Sequence, residues 1–227
     1  YEEENVVEQM RSLSGLSQTV LYNDDFAALK PLVGGHPRIV SYGTKTTADY
    51  SLVARQVGRQ TELEVSHRAE TWRLSSRQVG RHSGVAYAAA MAVTHILSGD
   101  MKPATEALSL LKPVRGRLNP LRGIRGSLVI DDCYNANAIS VGAALDTLST
   151  FETPRVAVLG SMNELGEYSS RDHRAVGVKA ARSADMLVCI GEDATRYIAP
   201  AAAKAGMKEA NLRCFLSARV AGVFLKA

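Results

Sequence analysis

The sequence has only three cysteines in 227 residues, and they lie far apart, at Cys133, Cys189 and Cys214. An odd number of widely spaced cysteines does not indicate a disulfide framework, and structural zinc sites usually have cysteines in closely spaced pairs. We therefore expect neither disulfides nor a zinc site, as is typical of a protein in the reducing cytoplasm.

Long apolar runs and a secretory leader are also missing. No stretch of about 18 apolar residues occurs, so no membrane span is predicted. The first ten residues, YEEENVVEQM, are acidic, whereas a secretory signal is basic and then apolar. They do not begin with Met, so we expect that the sequence starts partway through a longer protein.

The common phosphate-binding loop, G-x-x-x-x-G-K-[ST], does not occur anywhere in the 227 residues. The nearest segment, YGTKTTADY at 42–50, lacks the leading glycine and the helical pattern that should follow it. We therefore expect these residues by themselves not to hydrolyse ATP.

The net charge of +4 is unevenly distributed along the chain. Residues 112–126, KPVRGRLNPLRGIRG, contain basic side chains but no acidic and no aromatic ones. Nucleic-acid binders usually add aromatic platforms or a recognisable module, so nucleic acid is not expected as a partner. Two interpretations stay open: a site for a small anion such as a nucleotide phosphate, or a solvated basic linker.

Residues 1–119 have the pattern of a mixed α and β domain. A helix is predicted over 2–13, and three alternating segments within 48–76 predict a small antiparallel sheet. The apolar segment 83–99 predicts a helix buried on several sides, and a second helix should follow with Pro103 in its first turn.

From Ser127 onward, short apolar runs alternate with helical stretches at 138–150, 171–184 and 192–205. Apolar strands separated by helices are typical of a parallel sheet that is covered on both faces. We predict an α/β protein of two domains, residues 1–119 and residues 120–227, with a hinge within Gly116–Gly126. In such sheets, ligands bind beyond the carboxyl ends of the strands.

The segment DDCYNAN at 131–137 follows a predicted strand. A carboxylate of Asp131 or Asp132 can accept both hydroxyls of a ribose, and the amides of Asn135 and Asn137 can fix a loop or a ligand. The alternative is that these side chains only cap the helix that follows.

Two further segments carry candidate residues. Gly160 and Gly166 permit close backbone approach to a ligand, while Ser169 or Ser170 is predicted as a helix N-cap. His173, one turn into that helix, is expected to be solvated or capping rather than catalytic. His82 and Ser83 precede the buried helix, where they can contact a base or phosphate, unless Ser83 is a plain N-cap.

The strongest pattern is VIDDCYNANAISVGAALDTL followed by RVAVLGSMNELGEYSSRDHRAVG. It resembles the C-terminal domain of the Mur ligase family, MurF type (UDP-N-acetylmuramoyl-tripeptide–D-alanyl-D-alanine ligases), whose motifs are D-D-S-Y-N-A-N-P and L-G-D-M-x-E-L-G. Upstream, TVLYNDDFAAL, VGRHSGVAYAAAMAV and PVRGRL resemble the late part of the family's central ATPase domain. The resemblance implies such a remnant over residues 1–119 and a Rossmann-like ligase domain, incomplete at its end, over residues 120–227.

The resemblance also implies a function. The family uses ATP and Mg²⁺ to join D-Ala-D-Ala to a UDP-MurNAc-tripeptide through an acyl phosphate, in cytoplasmic peptidoglycan precursor synthesis. The magnesium ligands are expected upstream of this sequence, the protein is expected to be a monomer, and no catalytic residue or metal ligand is assigned here. Two alternatives stay open: a module that binds nucleotide or cell-wall precursor without catalysis, and a related ligase with another amino-acid substrate.

Site residues follow from the same resemblance. Asp132 is assigned to the ATP ribose and Arg117 to the phosphates, with His82 and Ser83 also on the nucleotide. The residues assigned to the substrate, most of them in the loop that faces its reacting carboxyl end, are Asn135, Asn137, Ser161, Asn163 and Glu164. The sequence departs from the family pattern at Ser83, Ala86, Cys133, Ala138 and Ser161.

Overall fold

The computed structural model describes residues 8–9, 11–12 and 15–226, so most of the helix predicted over 2–13 lies outside the described residues. The chain divides into two compact units. The first contains the described residues up to Arg77 together with Arg81–Lys112, and the second contains Gln78–Gly80 and the described residues from Pro113 onward. The domain boundary after residue 119 stays a prediction.

The first unit contains a five-stranded sheet in the order β1-β2-β3-β4-β5. Strands β1 and β2 pair in parallel, as do β2 and β3, whereas β3, β4 and β5 pair antiparallel. The antiparallel sheet predicted over 48–76 is therefore confirmed. The strands are β1 (Val20–Asn23), β2 (Ile39–Gly43), β3 (Tyr50–Val57), β4 (Gln60–His67) and β5 (Glu70–Ser76).

From Val20 onward, the described part of the first unit contains three α-helices: α1 (Lys30–Val33), α2 (Gly84–Ser98) and α3 (Lys102–Ser109). Helix α2 places Tyr87, Ala88 and Met91 in the core against the sheet. Its opposite face is open, since Leu97 is 80% exposed, so the prediction of a helix buried on several sides is wrong. Pro103 lies in the first turn of α3, as predicted.

The second unit has a parallel sheet with strand order β10-β9-β8, formed by β8 (Val156–Gly160), β9 (Met186–Ile190) and β10 (Leu212–Phe215). The predicted α/β class with a mostly parallel sheet is confirmed. One strand differs: β7 (Leu128–Asp131) pairs antiparallel with β6 (Asn119–Arg122). A tight turn between them, in which Arg125 and Gly126 are left-handed, folds these neighbours into a hairpin.

The helices of the second unit confirm the three stretches predicted from the sequence. They are α4 (Ala138–Ser149), α5 (Ser169–Ser183), a π-helical turn (Ala194–Ile198) that continues into α6 (Ala199–Lys204), and finally α7 (Ala218–Lys226). Gly177 of α5 lies so close to the Ile198 carbonyl that a Cβ there would collide with it. Among the described residues, no helix is both long and apolar enough to cross a membrane.

Candidate functional site

The basic loop at 116–118 is fastened to the acidic end of β7. The Gly116 N–H donates to Oδ2 of Asp131 and the Leu118 N–H donates to Oδ1 of Asp132, each at 3.1 Å. In return, the Tyr134 N–H donates to the Gly116 carbonyl at 3.2 Å. Two segments that are apart in the sequence therefore form one corner of the second unit.

The backbone of this loop is turned so that it can bind anions. Gly116 and Leu118 both have left-handed angles, with φ of 72° and 46°. Backbone N–H groups from successive turned residues form a concave donor surface for negative charge. Here the carboxylates of the two aspartates occupy it.

Arg117 projects from the same loop and is exposed. Its guanidinium lies 4.5 Å from the centroid of the Tyr134 ring, which gives a cation–π contact. Within the part of the chain that the structure describes, Arg117 has no carboxylate within ion-pair distance. Its side chain is therefore held by an aromatic ring while its charge stays available to a ligand.

The sequence left open which of two neighbouring aspartates faces a ligand, and the structure distinguishes them. Both oxygens of Asp131 are engaged: the Cys133 thiol and the backbone N–H groups of Gly116 and Cys133 donate to this carboxylate, and these bonds lower its pKa below 3.8. Asp132 is half-buried and accepts from Leu118 through Oδ1. Its Oδ2 has no partner among the described residues, so Asp132 keeps an oxygen for a ligand.

Asn137 caps helix α4, as the structural alternative predicted. Its Oδ1 accepts from the Ser140 N–H at 2.8 Å, and the Ser140 hydroxyl accepts from the Asn137 N–H at 3.1 Å. This reciprocal pair satisfies two donors at the helix start. Asn135 is exposed, and its side-chain oxygen accepts from the Ala136 N–H at 2.9 Å. The predicted substrate contacts of both residues stay predictions.

The loop after β8 carries the second group of candidates. The Ser161 hydroxyl accepts from the Ala194 N–H at 3.2 Å, so it is engaged within the unit. Asn163 and Glu164 are exposed at the tip of the loop, where Glu164 has a left-handed φ of 60°. Of the three residues assigned to the substrate in this loop, Asn163 and Glu164 therefore have side chains that are open to solvent.

His173 is not solvated, contrary to the prediction. Its side chain is fully buried, Nδ1 donates to the Ser169 carbonyl at 2.8 Å, and Nε2 accepts from the Met162 N–H at 2.9 Å. The signal was present in the sequence, because Val176, Gly177 and Ala180 follow at helical spacing on the same buried face. The helix begins at Ser169 with Tyr168 in the N-cap position, so the predicted serine N-cap is also wrong.

His82 and Ser83 lie in the first unit, in a 3-10 turn over Arg81–Ser83 that precedes α2. Ser83 occupies the N-cap position with helical angles, φ of −60° and ψ of −29°, and makes no capping hydrogen bond. The position that the N-cap alternative predicted is therefore confirmed, but its side-chain capping bond is not formed. Among the described residues, no group of three or more His, Cys, Asp or Glu side chains is arranged to hold a metal ion.

Comparison with known proteins identifies the second unit. Residues 116–223 match the family described as "Mur ligase, glutamate ligase domain". The UDP-N-acetylmuramoyl-tripeptide–D-alanyl-D-alanine ligase of Escherichia coli K12 is 36% identical over 115 residues, which are 50% of this chain and 25% of that enzyme. The alignment therefore spans far less than the length of that relative.

Solved structures share the fold over nearly the whole chain. MurF from Acinetobacter baumannii has a TM-score of 0.78 at 24% identity, covering 93% of this chain and 45% of that one. MurF ligase from Thermotoga maritima, solved in complex with ADP, has a TM-score of 0.75 at 20% identity, covering 92% and 48%. The chain thus spans about half the length of the structures that it resembles.

Proposed function

Since residues 116–223 belong to the Mur ligase family, with relatives of the MurF type, we propose that the intact protein is a cytoplasmic, ATP-dependent ligase of peptidoglycan precursor synthesis. It joins D-Ala-D-Ala to a UDP-MurNAc-tripeptide and acts as a monomer. ATP, with Mg²⁺ held by residues upstream of this sequence, activates the tripeptide carboxylate as an acyl phosphate, which the dipeptide amine then displaces.

The corner formed by residues 116–118 and 131–134 carries the proposal. Asp132 presents a carboxylate oxygen without a partner in the described structure, which suits the two hydroxyl donors of a ribose. Arg117, on the loop that bonds to Asp132, presents a guanidinium that makes no ion pair with another described residue, which suits a phosphate. A carboxylate held by a backbone N–H and a cation held by an aromatic ring, on adjoining loops, fit a nucleotide. The ADP complex of the T. maritima relative supports the same ligand class.

The substrate side of the reaction is assigned to the loop after β8. Asn163 and Glu164 are exposed just beyond the carboxyl end of a parallel strand, which is where α/β sheets bind their ligands. Their task is to orient the reacting carboxyl end of the peptide, since phosphoryl and acyl transfer depend on positioning and water exclusion. We also propose that His82 and Ser83 contact the nucleotide.

A ligation assay on the intact protein tests this function. The reaction contains ATP, Mg²⁺ and the UDP-MurNAc-tripeptide, with D-Ala-D-Ala compared against L-Ala, D-Glu and a diamino acid. We expect amide formation and phosphate release with D-Ala-D-Ala only. Nucleotide binding without any amide product would favour the non-catalytic module, and product with another amine would favour a sibling ligase.

The 227-residue chain serves as the matched control. It contains no phosphate-binding loop motif, so we expect no phosphate release from it, with or without D-Ala-D-Ala. Stimulated phosphate release by this chain alone would contradict the assignment of the phosphate loop to the upstream part of the protein.

A further inference from the structure

The loop after β8 is fixed at its first two residues by groups from elsewhere in the second unit. The Ser161 hydroxyl accepts from the Ala194 N–H, which begins the π-helical turn after β9. The Met162 N–H donates to His173 of α5, and the Met162 side chain is only 3% exposed within the core. The loop therefore leaves the sheet from a defined point.

The hydrogen bond from the Met162 N–H determines which ring nitrogen of His173 accepts and which one donates. A backbone N–H can bond only to a ring nitrogen that carries no proton, so Nε2 is the unprotonated nitrogen and Nδ1 donates to the Ser169 carbonyl. The Ser169 hydroxyl lies 3.2 Å from Nδ1 and donates to Oδ2 of Asp193 at 3.2 Å. The imidazole thus joins the loop, helix α5 and the segment after β9.

This arrangement has a direct consequence for the exposed tip. Asn163 and Glu164 follow immediately after Met162, and neither makes a side-chain hydrogen bond to another described residue. Their position depends on the residues that flank them: Met162, whose side chain lies in the core, and Leu165, which packs against that core. His173 adds the hydrogen bond that fixes the Met162 backbone, from a fully buried site.

We propose that His173 is a positioning residue for the loop Ser161–Gly166: by accepting the Met162 N–H, it sets where Asn163 and Glu164 meet the carboxyl end of the peptide substrate. The proposal rests on the proposed function, in which this loop faces that carboxyl end. His173 itself lies in the core and has no contact with the substrate.

Two substitutions of His173, by Gln and by Asn, test the proposal in the intact protein, because their side-chain amides lie at different distances from the backbone. In His173→Gln the terminal oxygen extends to the depth of Nε2 and can still accept from Met162. In His173→Asn the amide extends only to the depth of Nδ1, so it can serve Ser169 but cannot reach Met162. The two variants differ in the one bond that the proposal invokes.

We expect the Asn variant to lose about tenfold to a hundredfold in kcat/KM for the UDP-MurNAc-tripeptide, the scale on which misplacement of a reacting group acts. The KM for ATP should stay unchanged, and the Gln variant should stay close to the wild type. Equal losses in both variants, an equal change in both KM values, or a wild-type kcat/KM for the tripeptide in the Asn variant would overturn the proposal. If the Asn variant does not fold, His173→Leu replaces it, since Leu fills the site without accepting a bond.

Amide hydrogen exchange gives a readout that does not depend on activity. The Met162 amide should exchange faster in the Asn variant than in the Gln variant and the wild type, while amides in β9 keep their protection. If the wild type makes no amide product at all, the proposed function fails while the exchange data still decide whether His173 fastens the loop. Unchanged Met162 exchange in the Asn variant would refute the fastening itself.

Discussion

The Leu118 N–H donates to Oδ1 of Asp132 across 3.1 Å. One carboxylate oxygen is thereby used to fix the orientation of the side chain, and the other is directed away from this bond. An aspartate that binds a ribose needs both properties, since a freely rotating carboxylate pays an ordering cost on each binding event. The bond therefore prepares Asp132 for the role that the proposed function gives it.

Asp132→Asn is expected to weaken nucleotide binding without unfolding the protein. The amide oxygen can still accept from Leu118, but the charge that strengthens the ribose bonds is lost, so the KM for ATP should rise by roughly ten- to a hundredfold. Initial-rate kinetics on the intact protein measure this. Asp146→Asn, at an exposed aspartate that pairs with Lys179, is the matched control and should leave the KM unchanged. An Asp132→Asn enzyme with a wild-type KM for ATP would remove Asp132 from the nucleotide site.

The Tyr134 ring is expected to tune the position of Arg117. Tyr134→Leu removes the aromatic face. An exposed cation–π contact is worth about 0.5–1 kcal/mol, so the KM for ATP should rise about two- to fivefold. Tyr134→Phe keeps the face and should behave as the wild type. In an Arg117→Ala background the two Tyr134 variants should no longer differ. A difference that persists there would assign the tyrosine an effect independent of the arginine.

Low pH should lower the free energy of unfolding through protonation of Asp131. The Cys133 thiol and two backbone N–H groups lower the pKa of Asp131 in the folded state. The ionised Asp131 carboxylate therefore stabilises the folded protein above the unfolded-state pKa of 3.8, and this stabilisation is lost as the pH falls through the lower folded-state pKa. Urea unfolding of the wild type and of Asp131→Asn, compared at neutral pH and below pH 3.8, measures this.

In that comparison the variant should be less stable at neutral pH and should lose less stability on acidification. Asp132→Asn is the control, because it removes one negative charge next to Asp131 and leaves Asp131 itself unchanged. If Asp131→Asn shows the same acid dependence as the wild type, Asp131 does not contribute to it through its ionised form.

The three cysteines should differ in reactivity. Cys133 and Cys214 are exposed, whereas Cys189 is buried, and burial raises the pKa of its thiol to about 12. The thiolate is the nucleophile, and the hydrogen bond to Asp131 raises the pKa of Cys133 as well. An alkylating reagent should therefore modify Cys214 first and Cys133 more slowly in the native protein, and Cys189 only after unfolding. Mass spectrometry of digested protein identifies the labelled sites. Native labelling of Cys189 at the rate of Cys214 would show that the core around β9 opens readily.

The sequence by itself determines most of the local structure, and through the family resemblance it also predicts the ligand class of the proposed function. The apolar periods of the second half suffice to predict its parallel sheet and its helices before α7, because side-chain burial alone imposes those periods. The glycines and polar residues after β8 predict where a polar loop lies, since ligands bind beyond the ends of parallel strands. The aspartates at 131 and 132 end β7, which the structure pairs antiparallel with β6, so that argument does not place them. The resemblance to the Mur ligase family was likewise readable from two continuous motifs.

Tertiary structure alone decides how those residues are used. Asp131 and Asp132 are adjacent and chemically identical. The distant residues 116–118 donate one backbone bond to each of them, and Cys133 bonds to Asp131 alone, which leaves one oxygen of Asp132 open. Cys189 and Cys214 are separated in the sequence but lie at paired positions of β9 and β10. His173 is fully buried because the face of α5 that it shares packs into the core. Periodicity records which side of an element is buried, whereas hydrogen-bond partners depend on the three-dimensional approach of distant segments.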